Sequence, residues 1–274
     1  MLHITTLLHE LKNNTCGSVI PNIYGVITTE HLSQLAKYLE TNTVVTTLNF
    51  SGGKSVHPIE YNLDIYKNID WGEALCDTFH HNKSITHADF SYGYTNDYGI
   101  ALLSRALYSN TTLVSLNLSN CLIGPNGAKE LSYMLEHNST LKELDLGLNK
   151  LGVRGGEELV LALNKNTGLT SIKLNATNID INSFSKLNSN KTLKSLTISI
   201  HKVSHRTGDI APFCEYIKNN DSLDYLYVEF GELTLDNIRD LENARSHNKR
   251  IKCSFKLIRA TEPENSCFIK LLTN

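Results

Sequence analysis

The sequence predicts an open α/β solenoid of parallel strands with outer helices. Three observations predict it. Asparagine recurs at Asn82, Asn110, Asn138 and Asn166, 28 residues apart each time, and Asn220 to Asn248 repeats that step. Three, six and eight residues behind each comes an apolar position, as in Leu113, Leu116, Leu118 and again in Leu141, Leu144, Leu146. After each such triplet the spacing changes to three and four, as in Ala128, Leu131 and Leu135, which is one face of a helix. A fixed period of roughly 20 to 50 residues marks stacked repeats. No single unit can bury its own apolar face, so neighbours must share one continuous core.

Taken in order, a helix around Leu32, Leu35 and Leu39 closes an irregular first unit. Asn42 leads Val45, Leu48 and Phe50, and the apolar–polar alternation at the end of such a triplet is the period of a half-buried strand. The next step, to Asn82, is 40 residues long and leaves an insertion at about 53–70, expected to protrude between a strand and the helix near Leu75. Asn82 leads Ile85, Ala88 and Phe90, and Asn166 leads Leu169, Ile172 and Leu174. The step from Asn166 to Asn190 is only 24 residues, so the helix near Phe184 and Leu187 is expected to be short. Asn190 leads Leu193, Leu196 and Ile198; Asn220 leads Leu223, Leu226 and Val228, which makes about seven strands. Ile251, Cys253, Phe255 and Leu257 read as a last strand in altered register. The asparagine itself falls where a helix should stop, and is read as stabilising the turn through side-chain bonds to nearby backbone. Residues 1–259 thus form one solenoid with capping units at both ends, and 260–274 a C-terminal tail.

Leu113–Cys121 followed by Ile123, Gly124 and Gly127, and Leu141–Asn149 followed by Gly152 and Gly155, resemble leucine-rich repeats of the ribonuclease-inhibitor type. The resemblance extends from about Leu32 to Leu257 and weakens towards both ends. It implies an open leucine-rich-repeat horseshoe, with parallel strands on its concave side and helices on its convex side, and a protein that binds other proteins without catalytic machinery. Some horseshoes of this type, the Ran GTPase-activating proteins, stimulate a GTPase by contact, which gives a second reading. An enzyme with an unrecognised site is a third.

Bulk properties exclude other classes. With 26 basic and 28 acidic residues and a net charge of -2, the chain lacks the basic face of a nucleic-acid binder. No apolar run approaches the ~18 residues of a membrane span, and the start carries no basic, then long apolar, export signal. Six cysteines without CxxC spacing read as reduced thiols, and a cytoplasmic location is expected. Ser51–Ser55 ends in a GKS triplet, but Leu48 stands where a phosphate loop needs its first glycine. His80 and His81 are adjacent on a helix and point different ways, and His201 with His205 follows a strand without a Cys or carboxylate at ligand spacing. No cofactor, metal or catalytic residue is expected.

The surface then carries the function. If the sixth and eighth places of each unit face the core, the residues between them face the concave side. The candidate partner-binding residues there are the acidic Asp89, Glu143 and Asp145, with Lys173, Tyr225, Tyr227 and Glu229. Tyr92 and Tyr94 add aromatics in the loop after the second strand. Large, rigid tyrosines that can hydrogen-bond are typical interface anchors. The tail combines Glu262 and Glu264 with Phe268, Ile269, Leu271 and Leu272. It is similar to C-terminal signals of type IV-secreted effectors, and the chain to leucine-rich-repeat effectors of intracellular, Legionella-like bacteria. The expectation is a monomeric scaffold for a protein partner, with secretion into a host cytosol and a host protein as the extension of that reading.

Overall fold

The computed structural model describes residues 2–24, 27–51, 71–93, 95–200, 209–231 and 233–257. The insertion at 53–70, the tail at 260–274, Tyr94 and the histidine pair at 201 and 205 lie outside the described residues.

The chain opens with β1 (Leu2–His3), α1 (Ile4–Lys12), β2 (Val19–Ile20) and β3 (Ile23–Tyr24). Strands and helices then alternate: α2 (Thr29–Thr41), β4 (Thr47–Asn49), α3 (Trp71–His81), β5 (His87–Asp89), α4 (Asp97–Tyr108), β6 (Ser115–Asn117), α5 (Pro125–Leu135), β7 (Glu143–Asp145) and α6 (Gly152–Lys165). After β8 (Ser171–Leu174) the outer element is only a 3-10 helix, Ile181–Lys186, followed by β9 (Ser195–Ile200), α7 (Ala211–Asn219), β10 (Tyr225–Phe230), α8 (Leu235–His247) and β11 (Lys252–Leu257). The short helix expected from the 24-residue step is this 3-10 segment.

One open parallel sheet has the order β11-β10-β9-β8-β7-β6-β5-β4-β2, and β1 pairs with β3 in a second, two-stranded parallel sheet. Among the described residues the main sheet has nine strands, two more than the seven counted from the repeat, and one of these is the expected last strand, β11. The seven asparagine-led strands are all present; β2 and β11 extend the sheet at its ends. β2 escapes the pattern because, although Asn14 stands 28 residues before Asn42, Gly17 and Asn22 replace the apolar third and eighth places. β11 pairs Cys253 with Leu226 and Phe255 with Val228, a step of 27 residues rather than 28. The N-terminal α1, buried through Ile4, Leu7, Leu8 and Leu11, was likewise not expected from the repeat.

The core is the stack of repeat positions. Leu48, Leu116, Leu144, Ile172, Leu196 and Leu226 are all buried, as are the helix residues Leu131, Leu135, Leu159 and Leu163 that cover them. A Cβ on Gly155 would sit 2.8 Å from that of Ala128, so the glycine is what lets α6 lie so close to α5.

The buried asparagines do more than end helices. Asn166 Oδ1 accepts from the N–H of Gly168 and Leu169 at 3.0 and 2.6 Å, holding the turn. Its Nδ2 donates backwards to the Leu135 and Asn138 carbonyls at 2.6 and 2.9 Å, one repeat away. Asn82, Asn138, Asn190 and Asn248 make the same backward pair. A second line runs through the residue that ends each motif. Asn149 accepts from Cys121 and Ile123 N–H and donates to the Leu118 and Leu146 carbonyls; the Cys121 thiol donates to Phe90 O at 3.1 Å. Buried backbone groups must find partners, and these side chains supply them where strand passes into loop.

Candidate protein-binding face

The strand register builds the inner face. One row runs Thr47, His87, Ser115, Glu143, Ser171, Ser195, Tyr225, Lys252, and the row two residues on runs Asn49, Asp89, Asn117, Asp145, Lys173, Thr197, Tyr227, Ser254. A third, at the C-terminal end of the sheet, aligns Ser199, Glu229 and Lys256. Asp89, Glu143, Asp145, Lys173, Tyr225, Tyr227 and Glu229 therefore share one surface. Tyr92 does not. It lies in the turn leaving β5, half-buried with a left-handed φ of 60°, and its N–H donates to Ser119 O at 2.8 Å. It belongs to the rim rather than to the rows.

The acidic positions have a local task as well. Asp89 Oδ1 accepts from Ser91 N–H at 2.8 Å and Asp145 Oδ1 from Gly147 N–H at 3.0 Å. Asn49 and Asn117 hold the same bond to Ser51 and Ser119. An amide serves that turn as well as a carboxylate, so the turn itself does not need the negative charge at 89 and 145. Asp145 also faces Lys173 Nζ at 3.3 Å, and Glu143 accepts from Ser115 Oγ at 3.1 Å. Glu229 accepts from Ser199 Oγ and from Lys256 Nζ at 2.6 Å, and that carboxylate holds the Lys256 ammonium above its ordinary range. Acid thus gathers on β5 to β7 and lysine on β8 and β11.

Tyr225 is 41% exposed on β10, and Tyr227 is half-buried two residues on. Across β4 to β8 lies an open trough of about 360 Å³ bordered by Asn49, His87, Asp89, Glu143, Asp145 and Lys173. It is a shallow surface feature. Among the described residues no group of three His, Cys, Asp or Glu could hold a metal. Burial pushes the Cys214 thiol up to about 12 and the Cys253 thiol up to about 11, which keeps both protonated and poorly nucleophilic at neutral pH. No described helix is long and apolar enough to cross a membrane.

An exposed aromatic group on the outer helices escaped sequence reasoning: Tyr108, Tyr133 and His137. Its only signal was the spacing of four between Tyr133 and His137, which brings the two together where α5 ends.

A family model described as Leucine Rich repeat matches residues 109–132 and 137–160, the two most regular units. With the open parallel sheet and its helices, the fold is a leucine-rich-repeat solenoid. No curated protein matches the chain. Among solved structures it is similar to one titled leiomodin-1 actin-binding site 2, at 19% identity over 70% of this chain and 76% of that one, TM-score 0.35. It is similar also to a Caenorhabditis elegans tropomodulin C-terminal domain, at 11% identity over 90% and 93%, TM-score 0.37. At such scores neither likeness bears on what this chain binds.

Proposed function

We propose that this solenoid is a non-enzymatic scaffold that binds a protein partner through its concave face and adjoining loops. The observation that carries the reading is the register, which sets Tyr225 and Tyr227 on the same surface as the carboxylates of Asp89, Glu143 and Asp145. Five strand steps of about 4.8 Å separate β5 from β10 and three separate β7 from it, so Asp89 stands roughly 24 Å and Glu143 and Asp145 roughly 14 Å from the tyrosines, a span that fits a small domain. A broad surface with this layout over an open trough of about 360 Å³ suits a macromolecule better than a small substrate. On the strength of the tail's sequence alone, the proposal extends to an effector delivered by a type IV system into a host cytosol, where the partner is a host protein.

Capture from a eukaryotic lysate, read by mass spectrometry, tests it. Changing Tyr225 and Tyr227 to alanine should weaken capture by about thirtyfold, since a truncated anchor tyrosine costs on the order of 2 kcal/mol. Changing the helix-face charges Lys129 and Glu158 to alanine should cost a few tenths of that unit. Equal capture by the tyrosine variant, shown folded by its melting curve, ends the concave-face reading. A lysate that yields no tyrosine-dependent partner removes the effector extension.

A further inference from the structure

The outer side carries a patch that the solenoid does not need. The rings of Tyr108, at the end of α4, and Tyr133, in α5, stack with centroids 5.6 Å and planes 22° apart. The His137 ring lies 4.6 and 5.0 Å from them. Tyr108 is 39% exposed and Tyr133 58%. The 28-residue step also sets Arg105, Tyr133 and Leu161 in one row across α4, α5 and α6, and Leu161 is 47% exposed. The buried faces of these helices are complete without them, through Leu103, Leu107, Leu131, Leu135, Leu159 and Leu163. Apolar and aromatic side chains thus stand in water on three successive helices, and tyrosine and arginine are the types in which binding energy concentrates.

Beside the stacked rings is a notch of about 420 Å³ lined by Ser104, Arg105, Tyr108, Glu130 and Tyr133. One wall, from α4, brings the cation of Arg105; the other, from α5, brings the anion of Glu130. Among the described residues neither makes an ion pair. Other charges on the outer side are used between repeats, as in Lys165 to Glu136 at 2.9 Å and Lys186 to Glu157 at 3.0 Å.

We propose that this patch joins two copies of the chain about a twofold axis through the stacked tyrosines, with Arg105 of each copy paired to Glu130 of the other. A twofold contact must be self-complementary, since whatever residue i meets, its counterpart meets in return. One free cation and one free anion flanking an aromatic centre satisfy that condition. A partner surface of a single sign would leave one of the two opposed. The layout, apolar in the middle and charged at the edge, is that of an interface. With helices about 8–10 Å apart the row from Arg105 to Leu161 spans roughly 20 Å, which makes a small contact and a weak, concentration-dependent dimer. This departs from the monomer expected from the sequence. It leaves the concave face of each copy open, so a dimer would present that face twice.

Sedimentation velocity over a range of about 1 µM to 1 mM tests it. The wild-type chain should pass from monomer to dimer. Tyr133→Ser, Arg105→Glu and Glu130→Arg should each raise the dissociation constant at least about tenfold, and the double reversal R105E/E130R should return it to within about threefold of wild type. Every substituted side chain is at least partly exposed, so melting curves should be unchanged. A chain that stays monomeric throughout overturns the proposal. So does a dimer unmoved by the single reversals, or a double reversal no better than either. Dimerisation lost when Tyr225 and Tyr227 are changed would place the contact on the concave side and overturn it equally.

Discussion

Asn138 faces two repeats at once. Its Oδ1 accepts from Thr140 and Leu141 N–H at 2.9 and 2.8 Å, while its Nδ2 donates to the carbonyls of Leu107 and Asn110 at 2.7 and 3.0 Å. Asn138→Ala strips partners from four backbone groups in a buried place, and should cost about 3 kcal/mol in urea unfolding. Asn138→Asp keeps the acceptor but sets a carboxylate against two carbonyls. It should lose at least as much at neutral pH, and recover relative to wild type as acid protonates it and restores one donor. An aspartate variant as stable as wild type at pH 7 would mean that the backward bonds contribute nothing. Two serines at equivalent places give a second contrast. Ser132 Oγ donates to Ala128 O at 2.7 Å, whereas the buried Ser104 Oγ, one repeat earlier, has no partner. A buried hydroxyl without a bond is a standing cost, and alanine also favours the helix. Ser104→Ala should therefore be the more stable of the two alanine variants by about 1 kcal/mol, and the opposite order in urea midpoints would refute this.

At the scale of elements, the strands from β4 to β10 and the helices behind them were legible because one spacing fixes both turn and core. The concave rows were legible too, since alternation leaves little choice once the leucines face inwards. Other features leave no trace in a one-dimensional pattern. The backward reach of the asparagines joins residues about 28 apart through side chains whose local spacing reads only as a turn. Tyr92, Asn120, Leu148 and Ala176 all take left-handed φ where successive strands end. Only Asn120 is of a type that signals it. Leu148 is held there in part because its N–H donates to Asn175 O at 2.6 Å, a bond made across the stack. The terminal cap of α1, β1 and β3 has no repeat to announce it. Tyr108 and Tyr133 read separately as ordinary helix residues, and only the packing of α4 on α5 brings them together.

Across the whole molecule each unit touches only its neighbours, so stability should grade from the middle outwards. Units around β6 to β8 have partners on both sides, whereas β2 contributes only two residues to its edge of the sheet. Native-state hydrogen exchange should find the slowest amides in α4 to α6 and β6 to β8, and the fastest strand amides in β1 to β3. Equal protection throughout would mean one cooperative unit instead. Between β8 and β9 the outer layer thins to the 3-10 helix Ile181–Lys186, while strand length rises from three residues in β4 to β7 to six in β9 to β11. Strands stack about 4.8 Å apart and helices about 8–10 Å apart, and that mismatch is what bends the arc. A thinner outer element reduces that mismatch, so the arc should bend least between β8 and β9. That position falls between the acidic strands and the tyrosine strands, so a weaker bend there would set the two groups more nearly side by side than opposite one another. A body that touches both would then be broad and shallow, laid across that position like a hand across a half-open book.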